Sequence, residues 1–139
     1  MSFMKSMDVL SAGMHAQRVR LDTVSTNLAN AETTRTADGG AYQRQEVSFR
    51  AVPVDGRDFD AALKSVEVER VENAPVPTRM VYDPSHPDAD PASGMVEMPN
   101  VNVVEEMVDL MTATRSFEAN VTAFEALRQM VNKAMEIGR

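Results

Sequence analysis

Asp83, His86, Asp88 and Asp90 are the one grouping in this 139-residue chain whose side chains together suit a metal ion. Carboxylates and an imidazole are common ligands of divalent cations, and Asp88, Asp90 and Gly94 follow part of a calcium-loop spacing. The rest of that pattern does not match. Counted from Asp88, the fifth position is Ala92, the sixth is Ser93, and the twelfth is Pro99 where a bidentate glutamate is needed. Pro84, Pro87 and Pro91 stiffen the stretch, so its aspartates are better placed for local turn bonds than for a coordination shell. No metal and no cofactor is expected here, and the rigid loop is expected to act as a contact between subunits.

Nucleophilic chemistry has less to stand on. His15 lies on a helical stretch beside Met14, and His86 lies in the proline-rich loop. No Gly-x-Ser-x-Gly elbow, phosphate-binding Gly-Lys-Ser/Thr or dinucleotide fingerprint occurs. Cysteine is absent, which excludes a thiol nucleophile, a disulfide and a thiolate-bound zinc. With no activated nucleophile and no paired acid and base, the chain does not read as an enzyme. Its net charge of −7 argues against nucleic acid and against anionic lipid, both of which need clustered lysine and arginine. No apolar window is long enough to span a membrane. Residues 1–13 lack the apolar core of a secretory signal, so any export is expected to use a route that does not read one.

The ends of the chain are more informative than its polar groups. Phe3, Met7, Leu10, Met14, Gln17, Leu21, Val24 and Leu28 are spaced by alternating steps of four and three, with one polar interruption at Gln17. A seven-residue repeat keeps one seam of a helix facing a partner helix. This predicts a first helix from near Ser6, or from Ser2, to about Ala29, closed by Asn30 as a cap. A second stripe reads Val104, Met107, Met111, Thr114, Phe117, Val121, Phe124, Val131 and Met135, with an irregular step around Thr114 and a polar break at Arg128. Asn102 is its expected N-cap, with Glu105 at capping-box spacing and Gly138 as a stop.

Between these stripes the period changes. Val47, Phe49 and Ala51 alternate with polar residues, as do Val66 and Val68, and Met80, Val81 and Tyr82 form a third candidate strand. Asp38, Gly39 and Gly40 signal a turn, and residues 58–63 could make one helical turn. The expected fold is mainly α with a small β-rich middle. Residues 1–30 and 101–139 would form an antiparallel coiled-coil hairpin, and residues 31–100 a connector and small β-rich domain. Few aromatics and no tryptophan fit an extended structure better than a large core. Of the eleven methionines, Met4, Met7, Met14, Met107, Met111, Met130 and Met135 lie on the two arms, where flexible thioethers tolerate neighbours in varied poses.

Three blocks carry a resemblance. Thr23-Val24-Ser25-Thr26-Asn27-Leu28-Ala29-Asn30 with Ala31-Glu32-Thr33 is similar to the signature of bacterial flagellar rod, hook and hook-associated proteins. Residues 82–90 and Met98-Pro99-Asn100-Val101-Asn102, with residues 105–109 and 118–121, narrow it to the proximal-rod members. The resemblance covers essentially the whole chain. It implies a structural subunit that polymerises with itself and with other flagellar rod proteins around an export channel, transmitting torque across the periplasm. It also implies delivery by the flagellar type III export apparatus and ends that are disordered before assembly. Val103 stands where relatives often have proline, and Phe117 where they often have tyrosine. The assembly interface is expected at Met7, Leu10, Met14, Leu21, Val24, Asn27, Leu28, Asn30, Met107, Met111, Phe117, Val121, Phe124 and Val131. The competing reading is a soluble coiled-coil adaptor or export chaperone that binds a partner helix. A discrete soluble complex would mark that role, and co-assembly of high order the first.

Overall fold

A run of 27 residues without proline, interrupted by a single glycine, forms α1 (Phe3–Ala29). Asn30 closes it, its side-chain amide donating to the Thr26 carbonyl at 2.9 Å and so satisfying one of the orphan acceptors of the last turn. The chain is seen in a computed structural model, which describes residues 3–37, 39–54 and 64–137. After α1 come β1 (Gln45–Pro53), β2 (Lys64–Asn73), β3 (Arg79–Tyr82), β4 (Met95–Met98) and the 35-residue α2 (Val103–Ile137). Strands β1 and β2 pair with each other, as do β3 and β4. The expected helices and strands are present, and β4 is an addition. The helical turn expected within residues 58–63 lies outside the described residues.

Asn102 caps α2 as its residue type dictates. Its Oδ1 accepts the Val104 N–H at 3.1 Å, and its carbonyl accepts the first helical bond, from Glu106, at 3.0 Å. Val103 opens the helix as its first residue, so proline is not required at that position. Glu105 and Glu106 complement the positive helix start.

The described residues divide into two compact units. The first comprises residues 3–21, 47–54, 64–70 and 111–137, and the second residues 22–37, 39–46 and 71–110. In the first unit, α1 and α2 approach closely at Gly13, where an added Cβ would lie 3.2 Å from the Asn120 amide nitrogen. Ala16 and Ala113 are the most buried residues of this unit, at 2% and 0% exposure. Arg50 on β1 and Glu67 on β2 make an exposed ion pair at 3.1 Å, which holds little because water competes for both ends.

In the second unit Val24, Ala31, Ala74, Val96 and Val101 are buried together with Pro99. Strands β3 and β4 run antiparallel with Val81 opposite Val96 and Tyr82 opposite Met95. Alternation along β3 leaves Met80 and Tyr82 exposed on the other face. The return into β4 depends on Gly94, which has φ of +68° and presses against the Tyr82 ring, where a Cβ would come within 2.9 Å.

One expectation about α2 needs correcting. Val104, Met107 and Met111 are more than half exposed, and Thr114 is exposed as well. The covered row instead reads Glu106, Leu110, Ala113, Phe117, Asn120, Phe124, Leu127 and Val131, an unbroken alternation of four and three. Its two polar members and its alanine hid it from a pattern that followed large apolar side chains. The irregular step around Thr114 came from joining two different faces of one helix. On α1 the deepest positions besides Val24 are also small or polar: Ala16, Thr23 and Asn27, with Gly13 in line. Met7, Leu10, Met14, Leu21 and Leu28 flank that row and stay half-exposed.

Candidate assembly site

Asn27 sits in the last turn of α1 and is 1% exposed, so its amide must find partners inside the protein. It finds a full set. Its Oδ1 accepts the Gln45 N–H at 2.8 Å and the Tyr42 hydroxyl at 2.9 Å. Its Nδ2 donates to the Gln45 carbonyl at 2.8 Å and to Oε2 of Glu106 at 3.1 Å. The reciprocal pair with Gln45 is the bonding that a neighbouring strand would offer, supplied here by a side chain. One residue earlier, the Arg44 carbonyl accepts the Ala74 N–H at 2.7 Å, so residues 44 and 45 are held on both edges.

Glu106, in the first turn of α2, is 1% exposed and accepts from both sides. The Arg44 guanidinium donates to its Oε1 at 2.7 Å, and Asn27 to its Oε2. Burial by itself pulls the Arg44 guanidinium down, but its hydrogen bond to Glu106 and the charges of Glu106, Glu46 and Asp109 raise it overall, so it stays cationic. Burial also pushes the Tyr42 hydroxyl upward, helped by the Glu106 charge, which keeps it a donor. A buried carboxylate with two good donors is tolerated; a buried one without them costs several kcal/mol, on the order of 3–5.

The charged loop that opened the metal question is occupied with its own structure. Asp83 accepts the Ser85 hydroxyl at 2.6 Å and its N–H at 3.0 Å, and Asp90 accepts the Ser93 hydroxyl at 2.6 Å. Nδ1 of His86 accepts the Asp88 N–H at 3.1 Å. Asp88 takes the Thr34 hydroxyl at 2.8 Å and lies 3.8 Å from the Arg35 guanidinium. Among the described residues no three acidic or histidine side chains converge on a point. The loop is thus fastened to the connector of its own chain.

These turn bonds set a pH dependence. The Ser85 hydroxyl holds the Asp83 carboxyl below the usual carboxylate range, and the Ser93 hydroxyl does so for Asp90. A folded-state pKa below the unfolded one stabilises above the unfolded value, about 3.9, and is lost as pH falls through the folded one. NMR should therefore show the Asp83–Ser85 and Asp90–Ser93 turns intact above about pH 5 and opening only in stronger acid. Ser85→Ala and Ser93→Ala should each move the titration of their aspartate upward.

The remaining expected interface residues divide by exposure. Val24 is buried, while Met7, Leu10, Met14, Leu21, Leu28, Asn30, Phe117, Val121, Phe124 and Val131 are half-exposed. Met107 and Met111 are open, at 52% and 55%. Val104 and Val108, at 69% and 57%, complete with Met107 an apolar face on the first turns of α2. Tyr42, Arg44 and Glu106 were missed from sequence because each looks like an ordinary polar surface residue. The Oε1 of Gln17, the polar interruption on α1, is buried without a hydrogen-bond partner.

Comparison with known proteins finds relatives that match the chain from end to end. Residues 7–35 match the family described as flagella basal body rod protein, and residues 92–137 the flagellar basal body rod FlgEFG protein C-terminal family. A flagellar basal-body rod protein FlgC from Borreliella burgdorferi is 39% identical over 99% of this chain and 98% of its own length. Those of Bacillus subtilis and of Escherichia coli are 40% and 37% identical, each over the whole of both chains. The chain belongs to the FlgC family of flagellar rod proteins. It is a structural subunit of the flagellar basal-body rod, and the family implies assembly with other rod components. No helix among the described residues is long and apolar enough to cross a membrane.

Proposed function

We propose that the chain is an axial subunit of the proximal rod, polymerising with itself and with related rod proteins around the export channel and carrying torque across the periplasm. Export through the flagellar type III apparatus, without a cleavable leader, belongs to the same reading. The observation that supports it best is an apolar surface that the subunit does not cover. Val104, Met107 and Val108 face outward on α2, and the large residues flanking the buried row of α1 remain half-exposed. A hairpin of two helices covers only the row between them, and a polymer supplies further helices for the flanks. The partnerless Gln17 oxygen fits the same picture, since a donor from a neighbouring subunit would relieve it.

The test is Val104→Lys combined with Met107→Lys. Both side chains are exposed, so the free subunit should keep its helix content, with stability lowered by no more than about 1–2 kcal/mol because lysines beside the positive helix start are mildly unfavourable. Each lysine would have to be buried in a polymer, so basal bodies isolated from cells carrying the variant should lack a completed rod, and the cells should not swim. Normal rods and swimming would remove this face from the assembly interface.

A further inference from the structure

We propose that Met107 is an oxidation-sensitive modification site, where a peroxide converts the thioether to a sulfoxide and withdraws the free subunit from assembly. That consequence rests on the rod reading, in which a neighbour covers the first turns of α2. The susceptibility of the sulfur does not. Met107 is exposed, whereas Met95 and Met98 of the same compact unit are half-buried. Oxidation of a thioether follows its exposure. The backbone beneath Met107 is well anchored. The preceding residue, Glu106, is buried and bonded to Arg44 and Asn27, and Asn102 caps the first turn of the helix.

The surroundings of the sulfur decide both the oxidant and the effect. Glu105 and Asp109 give the first turns of α2 negative charge, so uncharged hydrogen peroxide reaches Met107 more readily than an anionic oxidant does. The sulfur lone pair attacks one peroxide oxygen. An S–O bond forms as the O–O bond breaks, and the departing hydroxide takes the proton from the oxygen now on sulfur. The products are sulfoxide and water, with sulfur oxidised by two electrons and the peroxide reduced by two. Because the side chain is exposed, water bonds the new oxygen in the free subunit and the fold is unaffected. Val104 and Val108 make the face around Met107 apolar, so a neighbour packed on it would bury the oxygen without a donor, and desolvation opposes that. A methionine sulfoxide reductase reverses the change. Met80, equally exposed but on β3, is the internal control.

The experiment has two arms. In the first, the full free chain is treated with hydrogen peroxide and mapped by peptide mass spectrometry. Met107 and Met80 should gain oxygen at least about threefold faster than Met95 and Met98, with the helical circular dichroism unchanged. In the second, Met107→Gln places a polar, sulfoxide-like group at the site in cells lacking the native protein. It should yield at most about a tenth of the completed rods that Met107→Leu yields, since an apolar group of similar volume keeps the burial that a polar one forfeits. Met80→Gln should build rods as the parent does. Oxidation of Met107 no faster than that of Met95 and Met98, or rods as plentiful with Met107→Gln as with Met107→Leu, would overturn the proposal. If Val104→Lys with Met107→Lys blocks rods while Met107→Gln does not, the proposal fails and the rod reading stands. If neither blocks them, this face is no interface and both fail together.

Discussion

Ala113→Asp should give a chain that is made but builds no rod, leaving cells non-motile. Ala113 is 0% exposed on the covered row of α2, so an added carboxyl has neither space nor partner there. Forcing a larger side chain into a packed site costs about 1–3 kcal/mol, and burying an unpaired charge adds several more. That total is comparable with the whole stability of a small domain, about 5–15 kcal/mol, and here it falls on a helix pair with a narrow seam. The defect recurs in every copy of a polymer. Leu21→Asp and Val121→Asp, at half-exposed flanks, should be less severe because their carboxylates can turn toward water. Arg18→Ala, at an exposed position on α1, should swim almost normally. Motility assays and basal-body isolation from a strain lacking the native protein rank the four variants; normal swimming of Ala113→Asp would show that pairing of α1 with α2 is dispensable.

Asn27→Asp should be strongly destabilising although it is isosteric. The two side chains have nearly the same shape, so any loss is electrostatic. The aspartate has no N–H to give the Gln45 carbonyl, which it would face oxygen to oxygen at about the present 2.8 Å. It would also set a second carboxylate 3.1 Å from Oε2 of Glu106, with the single Arg44 guanidinium to serve both. Breaking a buried pair in this way costs roughly 3–5 kcal/mol. Urea unfolding followed by the signal of Tyr42 should show a midpoint lowered accordingly, and the loss should shrink in acid, where one carboxyl is protonated. A change below about 1 kcal/mol would mean that the Asn27 bonds contribute no more than ordinary surface contacts.

Local rules made much of the architecture legible before any coordinates. The helix that the four-three spacing from Phe3 to Leu28 predicts, Asn30 as its stop and Asn102 as the start of the second rest on short-range features, and each appears in the structure at or within a few residues of its expected place. The turn at Gly39 and Gly40 was legible for the same reason: positive φ, here 88° and 80°, is the province of glycine. The incomplete ligand set of the proline-rich loop could be read by counting, and its aspartates do make the local turn bonds their types favour. Strand β4 was harder, since four residues between a loop and a helix carry too short a period to read.

Which face of α2 is covered was a matter for tertiary structure alone. Its apolar residues lie on more than one side, and the expected stripe began on an exposed face at Val104, Met107 and Met111 before joining the covered row at Phe117. The covered row starts at Glu106, a charge that no pattern would place inside. It is stable there because Arg44 and Asn27, 62 and 79 residues away in sequence, arrive to bond it. Composition and periodicity report what a residue does with its neighbours along the chain. Whether a buried charge is satisfied depends on donors brought from elsewhere, and only the folded chain brings them.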